Sequence, residues 1–502
     1  MKKINWFKYF IEKNKGLALV SEKVNIKWEE MNEKCARVLS VLDEQNIQCG
    51  DTILSSVENS IEWFFLFVCL NIIRVNIVLI DCKTKEENKE NYEKVIGARY
   101  IGKEVLCKIR NKLFDKDENS SKNDINRMFN QYDSLNNFII LKTSGTYSKK
   151  ARFIYHEQED FWGSAKLLND GMQVNEKDII EAALPMNHIL GLTSQIFLGF
   201  ISGATLVFPR ERTVKEIKKD IIEKKISVLN GVPALYKLLI DILTEDEINK
   251  MCIKKGVIGG DKYNKEFFCE IVKKLGITGL IPSLGSTETG IITHANISDS
   301  IEIRAMSIGK VPEKITIKIL DKDGLEINDD MKEGELMIKS PYLFKGTIEE
   351  KNKYMHNQDK WYKTGDVVKR YGEYLVYVAR RKEFIIRKGI NINLRVVEEN
   401  INKMLEGIEV KCIGMENFWY GDVVVLFIKC DKMYALDEID NRVKRCMNRD
   451  EIPDVYVAIN DFPRTVSGKV EMKELERTIS NREREQIYFL KKSPLFIDIR
   501  SL

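Results

Sequence analysis

Residues 141–156 read LKTSGTYSKKARFIYH. Thr143, Ser144, Gly145 and Thr146 come first. Lys149, Lys150 and Arg152 follow, and apolar, strand-like runs flank the segment at 138–141 and 153–155. A strand, a loop of hydroxyls and glycine, then cations is a phosphate-binding arrangement. Backbone N–H groups and hydroxyls donate to phosphate oxygens while the cations balance charge. The loop is not of the Walker type, because the second Gly and the Gly-Lys-Ser/Thr ending are missing and a strand follows where a helix should start. Taken alone, the stretch also describes an ordinary polar turn.

Four further stretches carry groups suited to the same chemistry. SLGSTETG supplies Leu284, Gly285, Thr287 and Glu288; WYKTGDVV supplies Asp366. ARRKEFIIRKGININLRVVEE supplies Arg380, Lys382, Lys388 and Gly389, and FPRTVSGKVEMKEL supplies Lys469. Each has a plainer reading: a capped turn for STETG, a Thr-Gly-Asp turn, a solvated Lys on a surface hairpin.

In this order and spacing the five stretches resemble the adenylate-forming (AMP-binding) enzyme superfamily, which includes acyl- and aryl-CoA synthetases, luciferases and the adenylation domains of peptide synthetases. The resemblance covers nearly the whole chain. It implies two half-reactions: a carboxylate attacks the α-phosphorus of ATP to give an acyl-adenylate and pyrophosphate, and a thiol then displaces AMP. Two anions must meet first, so positive charge and positioned donors are required.

By that resemblance Lys469 binds both the carboxylate and the α-phosphate, and Thr287 donates to the α-phosphate. Glu288 holds Mg²⁺, a hard cation that suits oxygen ligands. Thr143, Ser144, Gly145 and Thr146 wrap the β- and γ-phosphates. Asp366 accepts from the ribose hydroxyls with Arg380 beside it. Adenine lies against Leu284 and Gly285, with Gly259, Gly260 and Asp261 at its edge. His188, after LPMN, gates the carboxylate pocket, and Leu192 and Ile196 of a helix at 189–200 line an acyl pocket or belong to the core. Lys382 is the hinge, and Lys388 and Gly389 line the approach of the thiol.

The chain departs from the family at the first loop, where TSGTTGxPK is usual and TSGTYSKKA stands. Ser148, Lys150 and Ala151 replace Gly, Pro and Lys, and charge survives to either side in Lys150 and Arg152. Leu284 stands where an aromatic usually stacks on adenine. No Asp stands beside His188 to meet an α-ammonium group, which points away from an amino acid substrate.

The elements that must position these residues follow from the pattern. Helix-like TVKEIKKDIIEKK precedes strand-like ISVLNGV, and NKEFFCEIVKKLG precedes ITGLIPSLG. This βαβ rhythm over residues 20–310 predicts α/β layers with largely parallel sheets. From about Ile301 hairpins take over, as in ITIKILDKDGLEI with its Asp-Gly turn. The expected fold is a large N-terminal domain, 1–381, of α/β sheet subdomains plus a β-rich subdomain, then a small mobile α+β C-terminal domain, 382–502.

With 502 residues, more than one domain is expected. The net charge is +4, from 80 basic and 76 acidic residues that are interspersed, which argues against a nucleic-acid partner. Ten Cys show no CxxC and only four His exist, so no structural zinc site is expected, and buried free thiols of a reducing, cytoplasmic compartment are. The most apolar stretch, 63–81, is interrupted by Asn71, Arg74 and Asn76. It reads as a buried helix and strand, because a membrane span needs ~20 mostly apolar residues. No signal peptide is expected from MKKINWFKYFIEK.

The sequence thus points to ATP- and Mg²⁺-dependent activation of a non-amino-acid carboxylic acid, aryl or short to medium aliphatic, with CoA as the thiol. A carrier-protein pantetheine as acceptor, or a degenerate nucleotide-binding homologue, are the alternatives.

Overall fold

The apolar run at 63–81 folds as the helix Ile61–Ile72 and the strand Asn76–Asp81. Ser60 caps the helix by accepting from Trp63 N–H, and the helix is buried on every side, as its unbroken apolar sequence requires. Arg74, one of the residues that interrupt the run, turns the chain with φ of 59° between helix and strand. The structure is a computed structural model. It describes all residues except 1–4, 23, 116–135, 145–150, 261–262, 322–323, 350–351, 356–360, 381–383, 389, 406–407, 420, 430–435, 464–469, 471, 491–493 and 499–502.

Strand Asn76–Asp81 lies in a seven-stranded sheet. Phe138–Ser144, Asn76–Asp81, Thr52–Val57 and Arg99–Ile101 run parallel, and Ala151–Glu157, Gly346–Glu349 and Asn352–Met355 continue the sheet antiparallel. Phe138–Ser144, which carries Thr143 and Ser144, is therefore the strand at which the sheet changes direction. A second sheet of eight strands has a parallel centre, formed by Gly279–Ser286, Lys255–Ile258, Val228–Leu229, Ile179–Glu181, Thr205–Val207 and Leu17–Val20. Gly290–His294 and Asn25–Lys27 pair antiparallel at its edges. The βαβ expectation holds in the helices Val214–Glu223 and Lys265–Leu275, which precede Val228–Leu229 and Gly279–Ser286.

The largest core lies between these sheets. It joins Ile53, Ile77 and Leu79 of one to Leu19, Ile180 and Ile281 of the other through Phe64, Phe161, Phe197 and Phe200. The hairpin region forms a four-stranded antiparallel sheet of Thr316–Leu320, Glu333–Lys339, Tyr362–Tyr371 and Tyr374–Arg380. At its Asp-Gly turn Asp321 N–H donates to the Leu325 carbonyl, and Gly324 has φ of +83°.

A fourth, mixed sheet of six strands begins at Phe384–Arg387. Its central strand Gly421–Lys429 alternates strictly: Val424, Leu426 and Ile428 enter one apolar cluster and Val423, Val425 and Phe427 another, as a period of two dictates. Among the described residues no helix is long and apolar enough to cross a membrane. The cysteines differ from expectation. Of nine described, Cys35, Cys69 and Cys412 are buried, whereas Cys82, Cys107 and Cys446 are exposed. Cys82 stands in a polar turn between Asp81 and Lys83, and Cys107 is exposed on its helix while adjacent Leu106 is buried.

Candidate active site

A cavity of about 690 Å³ opens between the second sheet, the antiparallel sheet and the fourth sheet. Gly259, Gly260, Leu284, Gly285, Thr287, Asp366, His188 and Lys388 line it. They come from five separate stretches of chain, and the fold brings them together.

The STETG turn joins the antiparallel strands Gly279–Ser286 and Gly290–His294, whose register shifts at Leu284/Gly285. Glycine is required on both sides of the turn. A Cβ on Gly285 would stand 2.4 Å from the Gly290 carbonyl oxygen, and Gly290 itself has φ of +65°. Buried Thr289 braces the turn, its hydroxyl accepting from Ser286 N–H at 2.9 Å. At Gly259 a Cβ would meet the Ser283 carbonyl at 2.9 Å, so the neighbouring strands approach closely where the adenine edge is expected.

Asp366 is almost fully buried and lies opposite Arg380 in the ladder of the antiparallel sheet. Gly365, with φ of +76°, turns the strand just before it, and Asp366 N–H donates to the Thr364 hydroxyl at 3.0 Å. Arg380 and Ser144 are described as backbone only, each at the end of a strand. Thr143 pairs with Arg152 across the loop strands. Gly145, Thr146, Lys150, Asp261, Lys382, Gly389 and Lys469 lie outside the described residues.

Arg152 Nη1 stands 3.0 Å from Glu288 Oε1, with both side chains less than one-fifth exposed. The cation displaced from the usual loop position thus rests on the proposed metal ligand. Among the described residues no three His, Cys, Asp or Glu gather around a metal position. A single carboxylate fits Mg²⁺ when phosphates and water supply the other ligands, which is its usual mode. Glu288 could hold the ion in that way.

His188 turns its exposed surface into the cavity from the start of a helical rod, Ile189–Gly191, Leu192–Phe197 and Leu198–Ser202, whose middle turn is a π-helix. The surrounding protein, more than any single charge, pulls the imidazole below its usual pKa and favours the neutral ring. Only the first turn of the rod reaches the cavity. Leu192 and Ile196 are fully buried in the core between the sheets and do not line it, which corrects the expectation of an acyl wall. Residues Ile189, Leu190 and Gly191 take that place.

Lys388 sits at the tip of the hairpin Phe384–Arg387/Ile390–Asn393 with φ of 50°, a left-handed conformation uncommon for a residue with a Cβ. Lys388 is exposed as a whole yet lines the cavity, and partial removal from water there, then neighbouring Arg387, lowers its ammonium pKa. Arg387 anchors the hairpin: it donates to the carbonyls of Asp450 and Ile452 and forms a buried ion pair with Asp454.

Three residues that the motifs do not mark also converge here. His156 is fully buried, with Nε2 2.6 Å from the Thr287 carbonyl oxygen and Nδ1 3.2 Å from Asp160 Oδ2. Lys345 Nζ donates to Asp160 Oδ1 at 2.6 Å. The signal was a lone His one turn ahead of an Asp, legible only once the strand's facing is known.

The sequence profile of the family described as AMP-binding enzyme matches residues 12–347. An acyl-CoA ligase of Ajellomyces capsulatus is 26% identical over 360 residues, which are 68% of this chain and 61% of that ligase. The chain therefore spans about three fifths of that relative's length. The o-succinylbenzoate CoA synthetase of Bacillus subtilis, bound with a product analogue, superposes with a TM-score of 0.77 at 20% identity, covering 95% of this chain and 98% of the other. ATP-bound MatB of Rhodopseudomonas palustris gives 0.63 at 19% identity, covering 96% and 100%.

Proposed function

The chain belongs to the AMP-binding enzyme family, and from that premise we propose that it activates a carboxylic acid with Mg-ATP and passes the acyl group to the thiol of CoA. The carrying observation is one cavity in which Thr287, Asp366, His188 and the Lys388 hairpin meet. The similarity to an acyl-CoA ligase and to a CoA synthetase supports the reading.

In this reading Thr287 donates to the α-phosphate and Asp366 accepts from the ribose. Glu288 holds Mg²⁺, whose charge offsets that of the phosphates. His188, kept neutral by its enclosure, orients the incoming carboxylate beside Ile189 and Leu190. Lys469 neutralises the two anions that must meet. Lys388, held in the cavity by the Arg387–Asp454 pair, lies on the approach of the thiol. The boundary between the large and small domains falls at 381/382, with Lys382 as hinge. Aryl and short to medium aliphatic acids fit the apolar wall, and no carboxylate on residues 183–191 awaits an ammonium group.

The test is pyrophosphate release over a panel of aryl, aliphatic and amino acids with Mg-ATP, followed by CoA. Release that needs a non-amino acid, with AMP and a thioester formed when CoA is added, is the expected result. Release with amino acids alone would overturn the substrate class, and no release with any acid would overturn the activity.

A further inference from the structure

We infer that His156 is a positioning residue that fixes the Thr287–Glu288 turn through the Thr287 carbonyl, backed by Asp160 and Lys345. The inference rests on the function proposed above.

Nε2 faces a carbonyl oxygen, which can only accept, so Nε2 carries a proton and donates at 2.6 Å. The opposite ring nitrogen is held by Asp160 Oδ2, which also accepts from Glu157 N–H at 3.0 Å and caps the helix Gln158–Met172. Asp160 is fixed in turn by Lys345, whose ammonium also donates to the carbonyls of Pro341 at 3.2 Å and Leu343 at 3.1 Å. From the same segment Phe344 N–H donates to the Glu288 carbonyl at 2.9 Å. Two successive carbonyls of the turn are thus pinned from outside it.

Packing alone does not call for this residue. The site is fully buried beside Phe161, whose ring centroid is 5.5 Å away, and an apolar side chain would fill it without bringing polar atoms out of water. On a strand, residues four apart share a face. Arg152 and His156 stand so on Ala151–Glu157, and both reach the turn, one at the Glu288 carboxylate and one at the Thr287 carbonyl. The strand that leaves the phosphate loop therefore sets the two groups expected to meet the α-phosphate and the metal.

Two isosteric substitutions separate the contacts. The amide nitrogen of Gln takes the place of Nε2, and that of Asn the place of Nδ1. His156→Gln keeps the hook on Thr287, and His156→Asn keeps only the contact with Asp160. Mg-ATP affinity is read by calorimetry, and kcat and KM for ATP by pyrophosphate release, with melting temperatures measured alongside. His156→Asn should weaken Mg-ATP binding by about tenfold or more, in line with other groups that orient a ligand from behind. His156→Gln should stay within about threefold. Equal losses in both variants, or none in either, would overturn the inference. If neither variant folds, Asp160→Asn, which keeps the helix cap, should still weaken Mg-ATP binding by about threefold, and unchanged affinity would overturn it. A wild-type protein that binds no Mg-ATP would refute the proposed function itself.

Discussion

Arg152 and Glu288, 136 residues apart in the chain, form an ion pair of 3.0 Å next to Thr287, which lines the cavity. The first supplies the cation that the phosphate loop otherwise lacks, and the second is the proposed ligand of Mg²⁺. On the proposed function, ATP and metal binding must redistribute this pair, with Arg152 passing to phosphate.

Arg152→Ala should therefore raise the KM for ATP by about 10–100-fold, since a charge-assisted hydrogen bond is worth about 1.5–3 kcal/mol. Arg152→Lys should recover part of it, and the KM for the acid should move little. Binding of Mn²⁺ alone, followed by electron paramagnetic resonance, should strengthen in Arg152→Ala because no cation competes for Glu288. Weaker Mn²⁺ binding would contradict the exchange.

Lys469→Ala should abolish pyrophosphate release while transfer of the acyl group from preformed acyl-adenylate to CoA continues. Loss of a transition-state donor typically costs about 10²–10³ in rate. Assays of the two half-reactions on one preparation decide it, and near wild-type pyrophosphate release would remove Lys469 from the mechanism.

Lys237 and Trp419 should govern how the fourth sheet rests on the rest of the chain. Lys237 Nζ lies 3.9 Å from the Trp419 ring centroid, and Phe267 and Phe418 meet at 6.4 Å beside them. A cation–π contact is worth about 0.5–2 kcal/mol. Lys237→Met keeps the apolar stem and removes the charge, so thiol transfer should slow by a few fold with adenylate formation unchanged. Trp419 emission, isolated by comparison with Trp419→Phe, should shift in parallel. Equal slowing of both halves would show that the contact serves folding alone.

Glu181 should make stability fall with pH. It is fully buried in the second sheet, neither carboxyl oxygen has a hydrogen-bond partner among the described residues, and burial together with nearby Asp220 pushes its pKa well above the usual carboxylate range. The folded state then holds the proton more tightly than the unfolded one. That stability is fully present below the unfolded pKa near 4.3, and is lost as pH rises toward the folded value. Glu181→Gln removes the ionisation and keeps the shape. It should stabilise the protein at neutral pH by about 1–3 kcal/mol and flatten melting temperature against pH between 5 and 8. An unchanged slope would count against the assignment.

The sequence announces most of this architecture because the relevant signals are local. The apolar run at 63–81 has room for one helix and one strand, and the alternation in 421–429 can only serve two faces of a sheet. The five motifs are local too, and the cavity collects described parts of three of them. What escapes is decided by facing. Leu192 and Ile196 read as pocket or core with equal ease until the rod is seen to offer the cavity only its first turn. His156, Asp160 and Lys345 carry no motif, since their partnership depends on strand register and on a segment 185 residues away from Asp160.

Both apolar clusters of the fourth sheet draw all their described members from residues 385–497, and no side chain from the other three sheets enters them. The cohesion of that stretch is thus its own, and among the described residues its seam with the remainder includes the Lys237–Trp419 and Phe267–Phe418 contacts. Such a piece can be inherited as a cassette. Another lineage's version could be spliced in at the seam without rewriting the buried packing on either side, so the two parts of the chain are free to diverge at different tempos.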